Sequence, residues 1–392
     1  MKRVVIVGAG IAGLATALRL GRDGWRTVVV ERATGRRSSG YLVNLLGPGY
    51  DAAEHLGLLP ALSARQLGLF TTVLVRADGR PKFTVPSAIA EAALGERTMS
   101  VFRGDLETEL YEAVRDRTEF RFGTTVESIE QNADRVRLVL SDGTTEDADL
   151  LVGADGVHSA TRTDVFGGGF RVDLPYVVAA FPLAHPVAGV PESSATTFIG
   201  PGRTAAIINL GSQRSAAFFT YRCADPGSDL GRGPVAALDA MFGDLGAGVP
   251  DALRHLEKDP SDAYFDAVSQ VVMPRWSTGR IVLLGDSAWC VTLFAGNGAA
   301  LALAGADRLG AALQRHDDNI PAALAEWEAG LRPEVSKRQS LARRGMQQYA
   351  PPSRFHVWMS DVTIRAITLP GIRGLVRRGI ERSARRDPAR KR

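Results

Sequence analysis

The sequence predicts an α/β fold: a parallel sheet assembled from distant parts of the chain, a mostly antiparallel sheet inserted into it, and helices at the C-terminal end. Three observations predict it. Short apolar runs at residues 4–7, 27–30, 150–152 and 281–284 lack polar alternation, as strands buried on both faces do. Residues 170–270 instead carry short apolar and aromatic runs separated by turn signals. Residues 298–315, 321–345 and 353–385 have helical periodicity.

The first element is the strand ending at Val7. Gly8, Gly10 and Gly13 follow as GxGxxG, Ile11, Leu14, Ala15 and Leu18 recur at helical spacing, and a second strand ends at Glu31. In this pattern the first glycine permits a tight turn, the second lets a pyrophosphate approach the backbone, and the third lets helix and strand press together. The helix N-terminus offers N–H groups to phosphate, and Glu31 can accept from ribose hydroxyls. A 2′-phosphate would be repelled there, so the stretch predicts a Rossmann-like site for FAD or NAD. Lys2 and Arg3 precede the apolar run as in a signal peptide, but Arg19, Arg22 and Asp23 interrupt it too soon.

Residues 32–49 read as a polar, glycine-rich loop, and residues 50–59 as a short helix ended by Gly57 and Pro60. Asp78-Gly79 marks a hairpin between residues 69–75 and 81–85. A helix opens near Arg103 with Asp105 in its first turn and Leu106, Leu110, Ala113 and Val114 on one face. Residues 120–147 read as a meander, then an apolar strand runs into Asp155-Gly156. Another runs into Gly285-Asp286, and Gly296-Asn297-Gly298 opens a helix rich in Ala and Leu. Glu31, Asp155 and Asp286 thus share one design, an acid at the carboxyl end of a strand, where open parallel sheets bind ligands. Those later contacts favour FAD over NAD alone, with the N–H groups near Gly298 on the flavin's pyrimidine edge.

Composition bounds the rest. The chain has 392 residues, 45% hydrophobic, with mean hydropathy −0.03, enough for two or three structural units. No apolar run approaches the ~20 residues of a membrane span, so no transmembrane segment is expected. Cys223 and Cys290 are the only cysteines, which fits a reducing cytoplasm. Residues 371–392 hold nine Arg or Lys against two acids, although the whole chain is only +4. The excess is a tail rather than a nucleic-acid groove: it reads first as a solvated, frayed helix end, with an acidic membrane surface or partner as the alternative.

With these motifs the chain resembles the FAD-dependent aromatic hydroxylases of the para-hydroxybenzoate hydroxylase type, the class A flavin monooxygenases. GAGIAG at 8–13 with Glu31, GADGVHSATR at 153–162 and GDSAWCVTLFAGNGAALAL at 285–303 carry the resemblance, which covers roughly residues 3–340. Residues 36–49 and 269–286 look most like a subgroup that tailors polyketides and other secondary metabolites or degrades antibiotics. The resemblance implies a discontinuous FAD-binding domain (1–70, 98–168, 275–330), a substrate-binding sheet domain (71–97, 169–274) and a C-terminal helical segment with a basic tail (331–392). It implies FAD contacts from Gly8, Gly10, Ala12, Gly13, Glu31, Arg32, Arg37, Arg103, Val126, Asp155, Gly156, Gly285, Asp286, Gly296, Asn297, Gly298 and Ala299. NADPH or NADH would visit transiently, and O2 would reach an aromatic or polyketide-like substrate through a flavin C4a-hydroperoxide. The protein would supply orientation and a dry cavity rather than an acid or base, so no catalytic residue is nominated, and no metal site. A monomer or homodimer is expected. Phe198, Phe218, Tyr221, Trp289 and Leu293 are candidate substrate contacts, although strand alternation puts only about half of the sheet aromatics on one face. His158 and His185 read as structural. Trp289 stands where the family usually has His, Leu293 where it has Pro, and Ala300 where Asn or Ser is common. Losing that proline near the flavin ring keeps an FAD-dependent dehydrogenase, oxidase or reductase open as the alternative.

Overall fold

The apolar runs become the strands of a six-stranded sheet in a computed structural model that describes residues 1–36, 41–68, 70–89, 97–211, 214–317 and 319–368. Its order is Ser277–Thr278, Ile281–Leu283, Leu150–Gly153, Arg3–Val7, Arg26–Glu31 and Thr118–Phe122, parallel except at the first edge strand. Alternation assigns the side chains. Val4, Ile6, Val29, Leu150 and Val152 face the helices Ile11–Arg22 and Gly298–Arg315, whereas Val5, Val28, Val30 and Leu151 face an antiparallel meander, Val126–Gln131, Val136–Leu140 and Thr145–Ala148. Covering both faces is what removes polar alternation from these strands.

The second sheet has seven strands, ordered Tyr264–Val271, Arg171–Leu183, Ser215–Arg222, Arg203–Asn209, Ser194–Gly200, Thr71–Val75 and Pro81–Val85. Only Ser194–Gly200 and Thr71–Val75 pair in parallel. One face packs Val177, Ala179, Phe181 and Phe219 on the helices Pro234–Phe242 and Val249–Lys258. The other turns Tyr176, Val178 and Val268 toward Phe294 and Met346. The 30-residue helix Ile320–Tyr349 carries Pro333 inside it and buries Trp327, Leu331 and Val335 in the main core.

Three readings change. Residues 32–49 are not all loop: Leu42–Leu46 is a strand paired with Thr98–Phe102, held by hydrogen bonds to a distant segment that its local sequence does not announce. Pro60 starts a helix, Leu59–Ser63, instead of only ending one, because its missing N–H costs nothing in a first turn. Ala113 is exposed, while Leu106, Leu110 and Val114 are buried. The basic tail at 371–392 lies outside the described residues.

A triad of tryptophans fastens the long helix to the main sheet. Trp276 and Trp289 have ring centroids 4.7 Å apart, and Trp327 lies 5.9 and 5.7 Å from them. Trp327 Nε1 donates to Gly305 O at 2.9 Å. Trp327→Ala removes both packing and that hydrogen bond, so urea denaturation of the apoprotein should show a loss of about 3–5 kcal/mol.

Candidate functional site

The site forms where four parallel strands end together. Gly8 has φ +107°, and a Cβ there would sit 2.5 Å from Ala154 O; a Cβ on Gly13 would sit 1.9 Å from Gly8 O. Both glycines are required by close backbone approach. Gly285 has φ +78°, and its Cβ would lie 2.8 Å from the Ala12 methyl, so the first and last motifs touch. Gly10 differs: a Cβ there would meet only Arg103 Nη2, at 4.0 Å. The fold leaves open the space where a pyrophosphate would approach.

Around that opening the charged groups are already held. Glu31 accepts from Ala9 N through one carboxylate oxygen and from Ala33 N through the other, both at 2.8 Å. Arg103 begins the helix Arg103–Val114, pairs with Glu107 at 2.6 Å and lies 5.6 Å from the Tyr41 ring centroid. Burial pushes the Glu107 carboxyl up, and Arg103 pulls it back. Asp286 opens the short helix Asp286–Trp289 beside Gly298, whose Cβ would be 3.9 Å from Asp286 Oδ1. Protein surrounds Asp286, yet its side chain remains solvent-exposed. These two facts together describe a carboxylate in an open recess. Enclosure raises its pKa, and Arg103 and the Cys290 thiol lower it. Gly156 and Gly296 also have open space where a Cβ would be.

The middle motif is a brace. Asp155 accepts from Ser159 Oγ at 2.5 Å and Thr161 N at 3.0 Å, fixing the N-terminus of the helix Ala160–Phe166. Buried Arg162 donates to Val157 O at 2.8 Å and Ser287 O at 3.1 Å, and Ser287 Oγ donates to Gly153 O at 2.6 Å. Residues 153–162 and 285–287 are thereby one unit. His158 joins the unit to the large sheet through Asp266 at 2.8 Å and Arg171 at 2.5 Å.

The family model described as FAD binding domain matches residues 1–317. The chain belongs to this family. It is 28% identical to the FAD-dependent monooxygenase asL4 of Sarocladium schorii, over 94% of this chain and 92% of that one. Among solved structures, tetracycline destructase Tet(51) matches with TM-score 0.78 at 26% identity, over 94% of this chain and 99% of that one. Klebsiella pneumoniae HpxO complexed with FAD and uric acid matches with TM-score 0.77 at 25% identity, over 97% and 95%. The chain is a class A flavin-dependent monooxygenase with the mixed α/β fold of that class, and FAD is its cofactor.

In this monooxygenase, the site candidates do not all converge. Gly8, Gly10, Ala12, Gly13, Glu31, Arg103, Asp155, Gly156, Gly285 and Asp286 gather at the strand ends, and Gly296, Asn297, Gly298 and Ala299 at the N-terminus of the last core helix. Arg32 is exposed just beyond the second strand, and Val126 packs against the meander core. Arg37 lies outside the described residues. Three substrate candidates point elsewhere. Phe198 and Tyr221 fall on the helix-backed face of the large sheet, in the cluster of Phe219 and Phe242, because their strand positions have the wrong parity. Trp289 is 1% exposed and belongs to the tryptophan triad. Phe218 and Leu293 do face the cluster around Tyr176 and Phe294.

Other residues on that side escaped the sequence reading. Tyr41 and Tyr264 have centroids 5.6 Å apart, Tyr176 and Phe294 6.0 Å, and Phe294 stacks on Tyr349 at 4.6 Å. Burial pushes the hydroxyls of Tyr41 and Tyr264 up, which keeps them protonated. Thr292 is buried with φ +85° and its Oγ1 lacks a hydrogen-bond partner among the described residues. That is a strained conformation for a β-branched residue, immediately before Leu293. Arg36, not Arg37, is described: it donates to Thr108 Oγ1 at 2.6 Å and lies over Tyr111. A separate depression of about 350 Å³ opens between residues 17–22 and 112–118, away from the glycine turn and its acids.

The glycines give a paired test. Gly13→Ala should lower the melting temperature of the apoprotein because its methyl meets backbone. Gly10→Val should leave apoprotein melting nearly unchanged yet reduce the flavin retained on purification, read from absorbance, at least about tenfold, the scale of a ~1.4 kcal/mol loss. A second check concerns Cys290. Its thiol is buried and pushed up by that burial, so iodoacetamide at pH 8 should leave it unmodified until urea unfolds the chain.

Proposed function

We propose that this chain hydroxylates an aromatic or polycyclic natural product, consuming NADPH or NADH and one O2 per turnover. Electrons balance as one hydride and one proton reducing the second oxygen atom to water. The observation that carries the substrate class is the wall of rings Tyr41, Tyr264, Tyr176, Phe294 and Tyr349 beside Leu293 and the last core helix. Flat apolar rings of a substrate would stack on the members that keep some exposure, Tyr41, Tyr264 and Tyr349, while Tyr176 and Phe294 are buried. Two similar solved structures, tetracycline destructase Tet(51) and HpxO complexed with FAD and uric acid, support a polycyclic or heteroaromatic substrate.

The residues present fit FAD. Gly10 and the N-terminus of the helix Ile11–Arg22 would take the pyrophosphate, Glu31 the ribose, Arg103 and Asp286 the ribityl–phosphate portion, and the N–H groups after Asn297 the pyrimidine edge. FAD, when bound, supplies electron transfer from the nicotinamide and oxygen transfer to the substrate. The chain's own work is positional. Arg103 and Asp286 offset each other's charge in the recess, the Asp155–Ser159–Arg162–Ser287 brace holds the strand ends in register, and the aromatic wall excludes water. We assign no general acid or base. In this reading residues 1–70, 98–168 and 275–330 serve FAD, and residues 71–97 and 169–274 serve the substrate. The protein works in the cytoplasm as a monomer or homodimer.

The strained Thr292 and Leu293 favour one second reading, an FAD-dependent oxidase or dehydrogenase without oxygen insertion. Turnover of a panel of aromatic polyketides under 18O2 separates them. The first reading predicts one labelled oxygen per product and one nicotinamide oxidised. Unlabelled product would establish the second, with stoichiometric hydrogen peroxide for an oxidase and none for a dehydrogenase.

A further inference from the structure

The helix Arg354–Thr368 shows solvent a surface that neither FAD nor the aromatic wall uses. Phe355, Trp358, Met359 and Val362 are 61%, 59%, 48% and 47% exposed. Their spacing, i, i+3, i+4 and i+7, places them on one helical face. They are four of the nine exposed large hydrophobics among the described residues, so the apolar surface is concentrated here rather than scattered. The Phe355 and Trp358 rings stack with centroids 6.0 Å apart.

The opposite side of the helix holds it to the large sheet. Lys82 Nζ pairs with Asp361 Oδ2 at 3.2 Å, and the Arg365 guanidinium lies 4.8 Å from the Phe83 centroid. Asp361 is the only acid in the helix, and this pairing turns it inward. Exposed Arg354 flanks the apolar face, and the one carboxylate of the helix is engaged by Lys82. The chain beyond is strongly cationic, with nine Arg or Lys against two acids in residues 371–392.

We propose that this face docks on an anionic lipid bilayer, with Phe355, Trp358, Met359 and Val362 entering the boundary between headgroups and acyl chains. An apolar stripe flanked by cations is the combination that binds such an interface in plane, and each cation near the surface adds attraction to anionic lipid. Charge selects this occupant over a second copy of the chain, since the sequence that continues the helix is cationic in both copies and like charges repel, whereas anionic lipid attracts it. The contact is peripheral: no described helix is long and apolar enough to cross a membrane.

The test sediments the full-length, FAD-loaded protein with phosphatidylcholine vesicles, with and without phosphatidylglycerol. Binding should be at least about tenfold tighter on the anionic vesicles and should weaken as salt rises. Trp358 reports directly, because Trp25, Trp276, Trp289 and Trp327 are at most 9% exposed. A blue shift of tryptophan emission should accompany binding, and Trp358→Phe should remove the shift while keeping the binding. Phe355→Ser combined with Trp358→Ser should abolish binding at unchanged flavin content. Failure to sediment with anionic vesicles would overturn the proposal. So would undiminished binding by the double variant, or a homodimer broken by that variant without vesicle binding.

Discussion

Everything at the site depends on how closely the backbone packs at the carboxyl ends of the central strands. Gly8 lies against Ala154, Gly13 against Gly8 O, and Gly285 against Ala12. At each contact a single methyl would overlap atoms already there. This constraint draws three motifs, more than a hundred residues apart in sequence, into one place. It also leaves the first helix with its N-terminus aimed into the same opening as Arg103 and Asp286, where an extended diphosphate can satisfy both dipole and charge.

Polar chemistry then makes the arrangement rigid. Asp155 spends both carboxylate oxygens on the helix that follows it, and Arg162 ties that helix to Ser287. Asp155 thus acts as a positioning residue, while Asp286, in its open recess, is the acid left to meet a ligand. Glu31 lies between these cases: its oxygens hold Ala9 and Ala33, and each retains a further lone pair for a ribose hydroxyl. On the substrate side the large sheet supplies rings from one face only, and the other face is consumed by its own helices.

The glycine spacing and the acids after strands were legible in the sequence because backbone contact and strand ends tolerate few residue types. The parity of the inserted strands was not. Nothing local distinguishes Phe218 from Phe219, and only the packing of Pro234–Phe242 on one face decides which ring turns inward. Trp289 read as a departure beside the flavin, yet it fills space beside Gly305 with Trp276 and Trp327. Tyr41 and Tyr264 lie more than two hundred residues apart in sequence and meet only in the tertiary packing. The positive φ at Thr292 has no sequence signature, since β-branched residues rarely adopt it.

In the proposed orientation FAD runs from Gly10 past Arg103 and Asp286 to Gly298. A crystal structure of the FAD complex tests this. The pyrophosphate should lie against Gly10, the ribityl chain within hydrogen-bond reach of Asp286, and the pyrimidine edge at the N-terminus of Gly298–Arg315. An FAD bound with its ends reversed, or with Asp286 out of contact, would contradict it.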